Sequence, residues 1–302
     1  VAVFDSDLVS IKPEWVRNVL DPVFNGYDFV APYYRRYKLD GTITNTIAYN
    51  LTRALYGQRV RQPIGGDFGI SRRLAKHYFD QDAWETDVAR FGIDVWMTTT
   101  AIVEGFKLCQ ARLGLKVHGE KDPGADLGPM FRQVVGTIFQ LMETNAESWK
   151  KVRESREVPI LGEEVEQEPA PFEIDQEGLV DYFRTGWANF SGVWQRIVEP
   201  KDLEVIRGLA AVERTQDFHL PLETWVRIVY RYARYFHATA RQRFKVLDTM
   251  VPLYNARVAS LINEVRDRNP DEAECLFEAH AMAFEKMKDY LIKIWDEEVH
   301  DD

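Results

Sequence analysis

Short apolar runs alternate with helix-period segments only as far as about residue 126, and this switch constrains the fold more than any other feature of the chain. Val1 to Phe4 reads as a buried strand ending at Asp5-Ser6-Asp7. Lys12 to Phe24 reads as an amphipathic helix with Pro13 near its start, Tyr27 to Ala31 as a strand, and Thr44 to Tyr56 as a helix. Gly65-Gly66 marks a turn, Ile93 to Val103 a helix, and Phe106 to Val117 one or two strands ending at His118. Strands that alternate with helices imply an α/β sheet. From Asp126, a candidate N-cap, helical period runs to about Glu154 and strand signals stop.

A glutamate-rich stretch with Pro159, Pro169 and Pro171 follows and reads as an extended, solvated connector. Helical patterns then recur around 175–196, 200–214, 221–237, 239–268 and 270–297. The expected organisation is an α/β domain over 1–150, a connector over 151–178 and an all-helical extension over 179–302. The apolar run at Val1 has no polar lead-in, so something is expected to precede it.

Composition removes several classes of function. With 38 Lys+Arg against 48 Asp+Glu the net charge is −10, which argues against general nucleic-acid binding because phosphate neutralisation needs a basic footprint. Two cysteines far apart, Cys109 and Cys275, fit buried thiols in a reducing compartment. No apolar run approaches the roughly 20 residues of a membrane helix. A cytoplasmic protein without membrane insertion is expected.

Asp5 and Asp7 follow an apolar strand, where open α/β sheets bind ligands, and side chains at i and i+2 share one face of an extended chain. Together they suit a hard divalent cation such as Mg²⁺ or Mn²⁺. The simpler alternative is a helix cap beside a solvated acid. Asp5, Asp7 and Val9 also fit the first motif of haloacid-dehalogenase-type phosphatases. That chemistry needs a later acidic pair, however, and Asp67 follows two glycines without a second acid nearby. A non-catalytic interaction module is the third alternative.

Six segments occur in one order: Phe4-Asp5-Ser6-Asp7-Leu8, Tyr33-Tyr34-Arg35-Arg36, Gln62-Pro63-Ile64-Gly65-Gly66-Asp67, Gly92-Ile93-Asp94, Val117-His118, and Leu127-Gly128-Pro129-Met130-Phe131-Arg132-Gln133. Over about residues 1–145 this series resembles the GT-A glycosyltransferases that make mannosylglycerate, glucosylglycerate and glucosyl-3-phosphoglycerate. The resemblance implies a GT-A-like mixed sheet, with the first nucleotide-binding half expected to lie outside the chain. It implies a retaining transfer of glucose or mannose from a nucleotide-sugar, UDP-glucose or GDP-mannose, to a small hydroxy acid such as glycerate or 3-phosphoglycerate. Similar enzymes are described by front-face attack, in which the donor's own phosphate takes the acceptor proton.

Carried over residue by residue, the resemblance gives Asp7 and His118 as ligands of the divalent cation, with Mg²⁺, Mn²⁺ or Co²⁺ suited to them. Asp5 lies nearer the ribose or sugar, and the Ile64-Gly65-Gly66 loop lies beside the sugar. Asp67 is implied near the reaction centre and Asp94 at the sugar hydroxyls, the two candidate catalytic acids. Arg36 and Thr44 grip the acceptor's carboxylate and hydroxyl. Arg suits a carboxylate because its planar fork donates two parallel bonds. Phosphoglycerate-using relatives carry an Arg where this chain has Thr42, which favours an acceptor without phosphate, although Arg35 or Lys38 could supply the missing charge.

The helical extension offers Arg227, Tyr230, Arg231, Tyr232, Arg234, Tyr235, Arg241 and Arg243, a pattern explained by an aromatic face packed inward with arginines outside. Trp187, Trp194, Trp225 and Trp295 provide apolar area for a homodimer or for closure over a site. Asn50-Leu51-Thr52 matches a glycosylation acceptor but sits inside an expected helix.

Overall fold

The computed structural model describes residues 1–84, 87–117, 127–164, 167–239 and 241–297. Its contacts divide the chain into two units, one of Val1–Pro123 with Gln133–Phe172 and one of Gly124–Arg132 with Glu173–Asp302.

The first unit is built on a mixed five-stranded sheet. Its strands come in chain order as β1 (Ala2–Val3), β2 (Phe29–Arg35), β4 (Phe68–Ile70), β5 (Leu108–Leu115) and β7 (Ile160–Leu161); the short β3 (Gln58–Arg59) pairs elsewhere, with β6 (Arg156–Glu157). The spatial order is β1-β4-β2-β5-β7, with β4 antiparallel to both neighbours and β2, β5 and β7 mutually parallel. Among the described residues β1 pairs with β4 alone. The glutamate-rich connector differs from expectation: Ile160–Leu161 extends the sheet, because two apolar residues between Pro159 and Gly162 can pair with β5 where the flanking glutamates face water.

Helix α1 (Pro13–Phe24) places Trp15 and Val19 four residues apart, on one stripe, against Val30, Tyr34, Cys109, Ala111 and Leu113 of the central strands. A five-residue π-helical turn, Thr44–Ala48, runs directly into α2 (Tyr49–Tyr56), in place of one uninterrupted helix. Asn50 and Thr52 are buried there, so burial removes them as a glycosylation site. Helix α3 (Arg72–Phe79) is capped by Ser71, whose hydroxyl accepts from Leu74 N–H at 3.1 Å. Helix α4 (Ile93–Val103) matches its expected bounds. Helices α5 (Leu127–Thr144) and α6 (Ala146–Trp149) replace the single helix expected to reach Glu154. Asp126 lies outside the described residues.

The second unit is helical: α7 (Gln176–Ile197), α8 (Pro200–Ala210), α9 (Leu222–Ala238), α10 (Arg243–Asp248), α11 (Val251–Val265), α12 (Pro270–Lys286) and α13 (Lys288–Trp295). Its aromatic residues turn inward as expected, but not every arginine lies outside: Arg234 is buried with them and donates to the Glu297 carbonyl at 2.6 Å. Trp225, Tyr230 and Tyr232 are buried, while Arg227 pairs with Asp202 at 2.6 Å and Arg231 with Glu199 at 3.1 Å. Trp194, Trp225 and Trp295 are buried, and Trp187 is half-buried. Cys109 is buried, and burial pushes its thiol up to about 12, whereas Cys275 is exposed, contrary to expectation, on the outer side of α12. No helix among the described residues is long and apolar enough to cross a membrane.

Candidate active site

Three chain segments meet where the sheet's strands end, and each brings charge. The segment after β1 brings Asp5, the loop before β4 brings Gly65, Gly66 and Asp67, and the residue after β5 brings Lys116. Lys116 Nζ donates to Asp5 Oδ2 at 2.8 Å, to Asp67 Oδ2 at 3.0 Å and to the Gly65 carbonyl at 2.6 Å. Lys116 is 8% exposed and Asp67 0%. A buried ammonium is tolerated only when it is paired and its donors are satisfied, and these three acceptors use all three of its protons. Asp67 also accepts the Asp5 backbone N–H at 3.0 Å and the Tyr34 hydroxyl.

Gly66 closes this floor. It takes φ +80°, and a Cβ there would stand 2.1 Å from Asp5 Oδ2, so only glycine lets the loop lie on that carboxylate. The loop is tied from the other side by Thr98 of α4, whose hydroxyl donates to the Pro63 carbonyl at 2.8 Å. Ile64 forms the turn of this loop and is partly exposed.

Asp94 sits in the first turn of α4, with Gly92 as the capping position. Burial first, then the negative charge of Asp5, pushes its carboxyl up to about 7; Lys116 opposes this, Asp67 adds to it, and a hydrogen bond from the Gly66 backbone N–H works against it. Asp5, Asp67 and Asp94 thus share one lysine. Carboxylates crowded beyond their counter-charge mark a place where a ligand's hydroxyls or a cation would be welcome.

The loop expected to hold the acceptor approaches this cluster through Tyr34. The β2–β5 pairing shifts register between Tyr33 and Tyr34, which re-aims the strand's last residues. Gln62 then pins Tyr34 in place of a neighbouring strand: its Oε1 accepts the Tyr34 N–H at 3.3 Å and its Nε2 donates to the Tyr34 carbonyl at 3.1 Å. The Arg36 guanidinium lies 5.3 Å from the Tyr34 ring centroid and 3.8 Å from Asp40. Its Nε is buried and has no hydrogen-bond partner among the described residues. Gly41, at φ +66°, separates Arg36 from Thr44: a Cβ there would be 2.9 Å from Arg36 Nη1 and 3.6 Å from Thr44 Oγ1. Thr44 opens the π-helical turn, a form common at functional sites.

The neighbouring basic residues are otherwise engaged. Arg35 pairs with Glu168, and both Lys38 and Thr42 have interactions of their own. The Thr42 carbonyl accepts the Thr46 hydroxyl at 2.7 Å.

Asp7 follows in the turn after β1, partly buried and with an interaction of its own. His118 lies outside the described residues. The chain beside each of them is nonetheless joined: Val9 N–H donates to the Val117 carbonyl at 3.0 Å, and Val117 N–H to Ser10 Oγ at 2.9 Å. Among the described residues no three histidine, cysteine or carboxylate side chains form a metal-holding group.

Lys116, Tyr34 and Gln62 were not singled out by sequence reasoning. Lys116 carried one available signal, a cation directly after the apolar run Leu113-Gly114-Leu115, at the same kind of strand end as Asp5. Gln62 opens one of the six matching segments, but nothing in the sequence gave it a role, which depends on a long-range meeting with β2.

No curated protein matches the chain. Glucosyl-3-phosphoglycerate synthase of Mycobacterium tuberculosis, solved in complex with Mn²⁺, UDP-glucose and phosphoglyceric acid, is 25% identical over 47% of this chain and 48% of that one, with a TM-score of 0.37. A second mycobacterial protein is 27% identical over 47% of this chain and 46% of that one, with a TM-score of 0.36. The chain spans about half the length of these solved proteins. The model of the mannosylglycerate synthase glycosyltransferase domain matches residues 1–134, covering the DxD segment, the acceptor loop, the two-glycine loop and Asp94. Residues 1–134 are therefore similar to the glycosyltransferase domain of mannosylglycerate synthase, the group to which the sequence motifs point.

Proposed function

We propose that the protein transfers a hexose, glucose or mannose, from a nucleotide-sugar to a small hydroxy acid of the glycerate class, with retention of anomeric configuration. The observation that carries this reading is the meeting of Arg36 and Thr44 across Gly41, one aromatic ring away from the Asp5–Asp67–Lys116 cluster. A buried guanidinium with an unpartnered Nε, on the same glycine as a threonine hydroxyl, is complementary to a carboxylate that carries a neighbouring hydroxyl. With Thr42 in place of a further arginine, and Arg35 committed to Glu168, the loop offers one strong anion-binding fork, which fits a carboxylate better than a carboxylate and a phosphate together.

On the donor side, Asp94 would orient the sugar through its hydroxyls. The Gly65-Gly66 backbone would allow the sugar ring close approach, and the buried Asp67 would hold Asp5 in place from beneath. Asp7 and His118 would hold the divalent cation, which when bound supplies charge stabilisation to the departing diphosphate. The protein's share of the acceleration is then orientation of two bound partners, since no side chain among the described residues has the pairing of an activated nucleophile.

The test is a transfer assay on the full-length protein with UDP-glucose or GDP-mannose, Mn²⁺, and D-glycerate or 3-phosphoglycerate. Glycerate is expected to be the better acceptor. Arg36→Gln should raise the acceptor KM about 10- to 100-fold, the worth of a charge-assisted hydrogen bond. Thr42→Arg should move preference about ten-fold toward 3-phosphoglycerate by adding a phosphate-reading fork. Absence of any metal-dependent transfer, together with no Mn²⁺-dependent stabilisation by UDP or GDP, would sink the reading. A metal-dependent shift that survives His118→Ala would remove His118 as a ligand.

A further inference from the structure

Tyr34 touches both halves of the site, yet no motif assigns it a role. It is 4% exposed, its ring packs 5.4 Å from that of Trp15, and Gln62 pins its backbone on both sides. Two cations rest near the one ring, the Arg36 guanidinium at 5.3 Å and Lys116 Nζ at 5.0 Å from the centroid. The hydroxyl donates to Asp67, the same carboxylate that fixes the Asp5 backbone N–H and Lys116.

We propose that Tyr34 is a positioning residue that ties the acceptor loop to the donor-side carboxylates, its ring seating Arg36 while its hydroxyl holds Asp67; the assignment rests on the function proposed above. Each half of the side chain has a separate task. The π face attracts a desolvated guanidinium and limits where Arg36 can place its fork. The hydroxyl occupies one lone pair of Asp67 and so fixes the direction in which that carboxylate meets Lys116 and Asp5. Burial, followed by the charge of Asp67, raises the phenol well above its ordinary value, so the group stays a donor and does not serve as a base. The acceptor fork and the donor carboxylates are thereby held in register by one rigid ring, which matters because an error of about 1 Å in reactant placement can cost on the order of 100-fold in rate.

The two tasks separate by mutation. Tyr34→Phe keeps the ring and removes the hydroxyl. With UDP-glucose, Mn²⁺ and D-glycerate, it should lower kcat about ten-fold while the acceptor KM stays within about two-fold of wild type, the loss expected for one buried hydrogen bond to a charged group. Tyr34→Leu removes both features and should in addition raise the acceptor KM about ten-fold, as the cation–π seat is lost. A purely structural role would lower Tm in both variants and leave kcat and both KM values of the folded enzyme unchanged, and that result overturns the proposal. Calorimetric binding of D-glycerate alone, with wild type and both variants, gives a readout independent of transfer. Weakened binding in Tyr34→Leu but not in Tyr34→Phe supports the ring's task, and equal affinity across the three, undetectable binding included, refutes it. Failure of the wild type to transfer sugar overturns the proposed function instead.

Discussion

The two units handle buried charge in opposite ways. In the helical unit three carboxylates, Glu264, Asp202 and Glu199, are each answered by cations close by. Arg257 donates to both oxygens of Glu264 at 2.7 and 2.6 Å, Arg227 grips Asp202 through three bonds of 3.1, 2.8 and 2.6 Å, and Glu199 receives Lys201, Arg231 and Tyr290. Burial alone would push Glu264 and Glu199 up. The hydrogen bonds from His280 and Arg257, and from Tyr290, Lys201 and Arg231, outweigh it and bring each down to about 2. In the sheet unit three carboxylates share Lys116, and Asp94 is pushed up to about 7. A scaffold closes its charge balance within itself, whereas a site leaves anionic capacity over for a ligand to complete.

The sharpest way to break this contrast is to open a closed pair. Arg257→Met strands a carboxylate beside a neutral His280 and should cost about 3–5 kcal/mol in urea denaturation, as expected for an orphaned buried charge; a loss below about 1 kcal/mol would show that the balance is not what stabilises the helical unit.

Lys116→Met applies the same operation to the site. It should destabilise by about 3 kcal/mol and reduce transfer about 100-fold, because Asp67 loses its counter-charge and Asp5 its alignment. Adding Asp67→Asn should recover much of the stability but not the transfer. If the double variant unfolds as readily as the single one, pairing with Asp67 is not the reason Lys116 is buried. A milder perturbation is Gly66→Ala, which forces a side chain into a left-handed backbone and against Asp5, and should cost about 1–3 kcal/mol together with donor affinity.

The pH dependence of stability should carry both signs. An unfolded Asp94 ionises near its ordinary 3.8 while the folded one keeps its proton to about 7, so the native state binds more protons between these values. Its contribution therefore falls as pH rises from about 4 to about 7, and Asp94→Asn should flatten that limb. Glu199 and Glu264 act oppositely. Their stabilisation is complete above their ordinary 4.5 and is lost as pH falls toward about 2, so acid should undermine the helical unit first. Denaturation midpoints from pH 3 to 8 for wild type and Asp94→Asn check both limbs. The smallest effect belongs to Glu168→Gln, an exposed partner of Arg35, which should not change stability measurably.

Much of this was visible in the sequence because it is local. Pro13 at a helix start, the apolar spacing of Trp15 and Val19, the bounds of α4 and the inward aromatic face of α9 all follow from period and capping chemistry acting over a few residues. Asp5 and the Gly65-Gly66 turn could be singled out because they sit at a strand end and a glycine turn, whereas Asp67 and Asp94 were marked by the family resemblance and not by chain geometry.

The two-residue strands β3, β6 and β7 and the antiparallel β4 were not legible, since a strand of two or three residues shows no period and exists only through its partner. The same reason hid the site's wiring. Lys116 lies 111 residues from Asp5 and Gln62 lies 28 from Tyr34, and which lysine neutralises which aspartate is set by strand order and register, not by any neighbour along the chain. Sequence fixes the kinds of chemistry available and the local shapes that present them. Tertiary structure decides which charges share a cavity, because electrostatic energy depends on distance and burial, and both are properties of the folded chain alone.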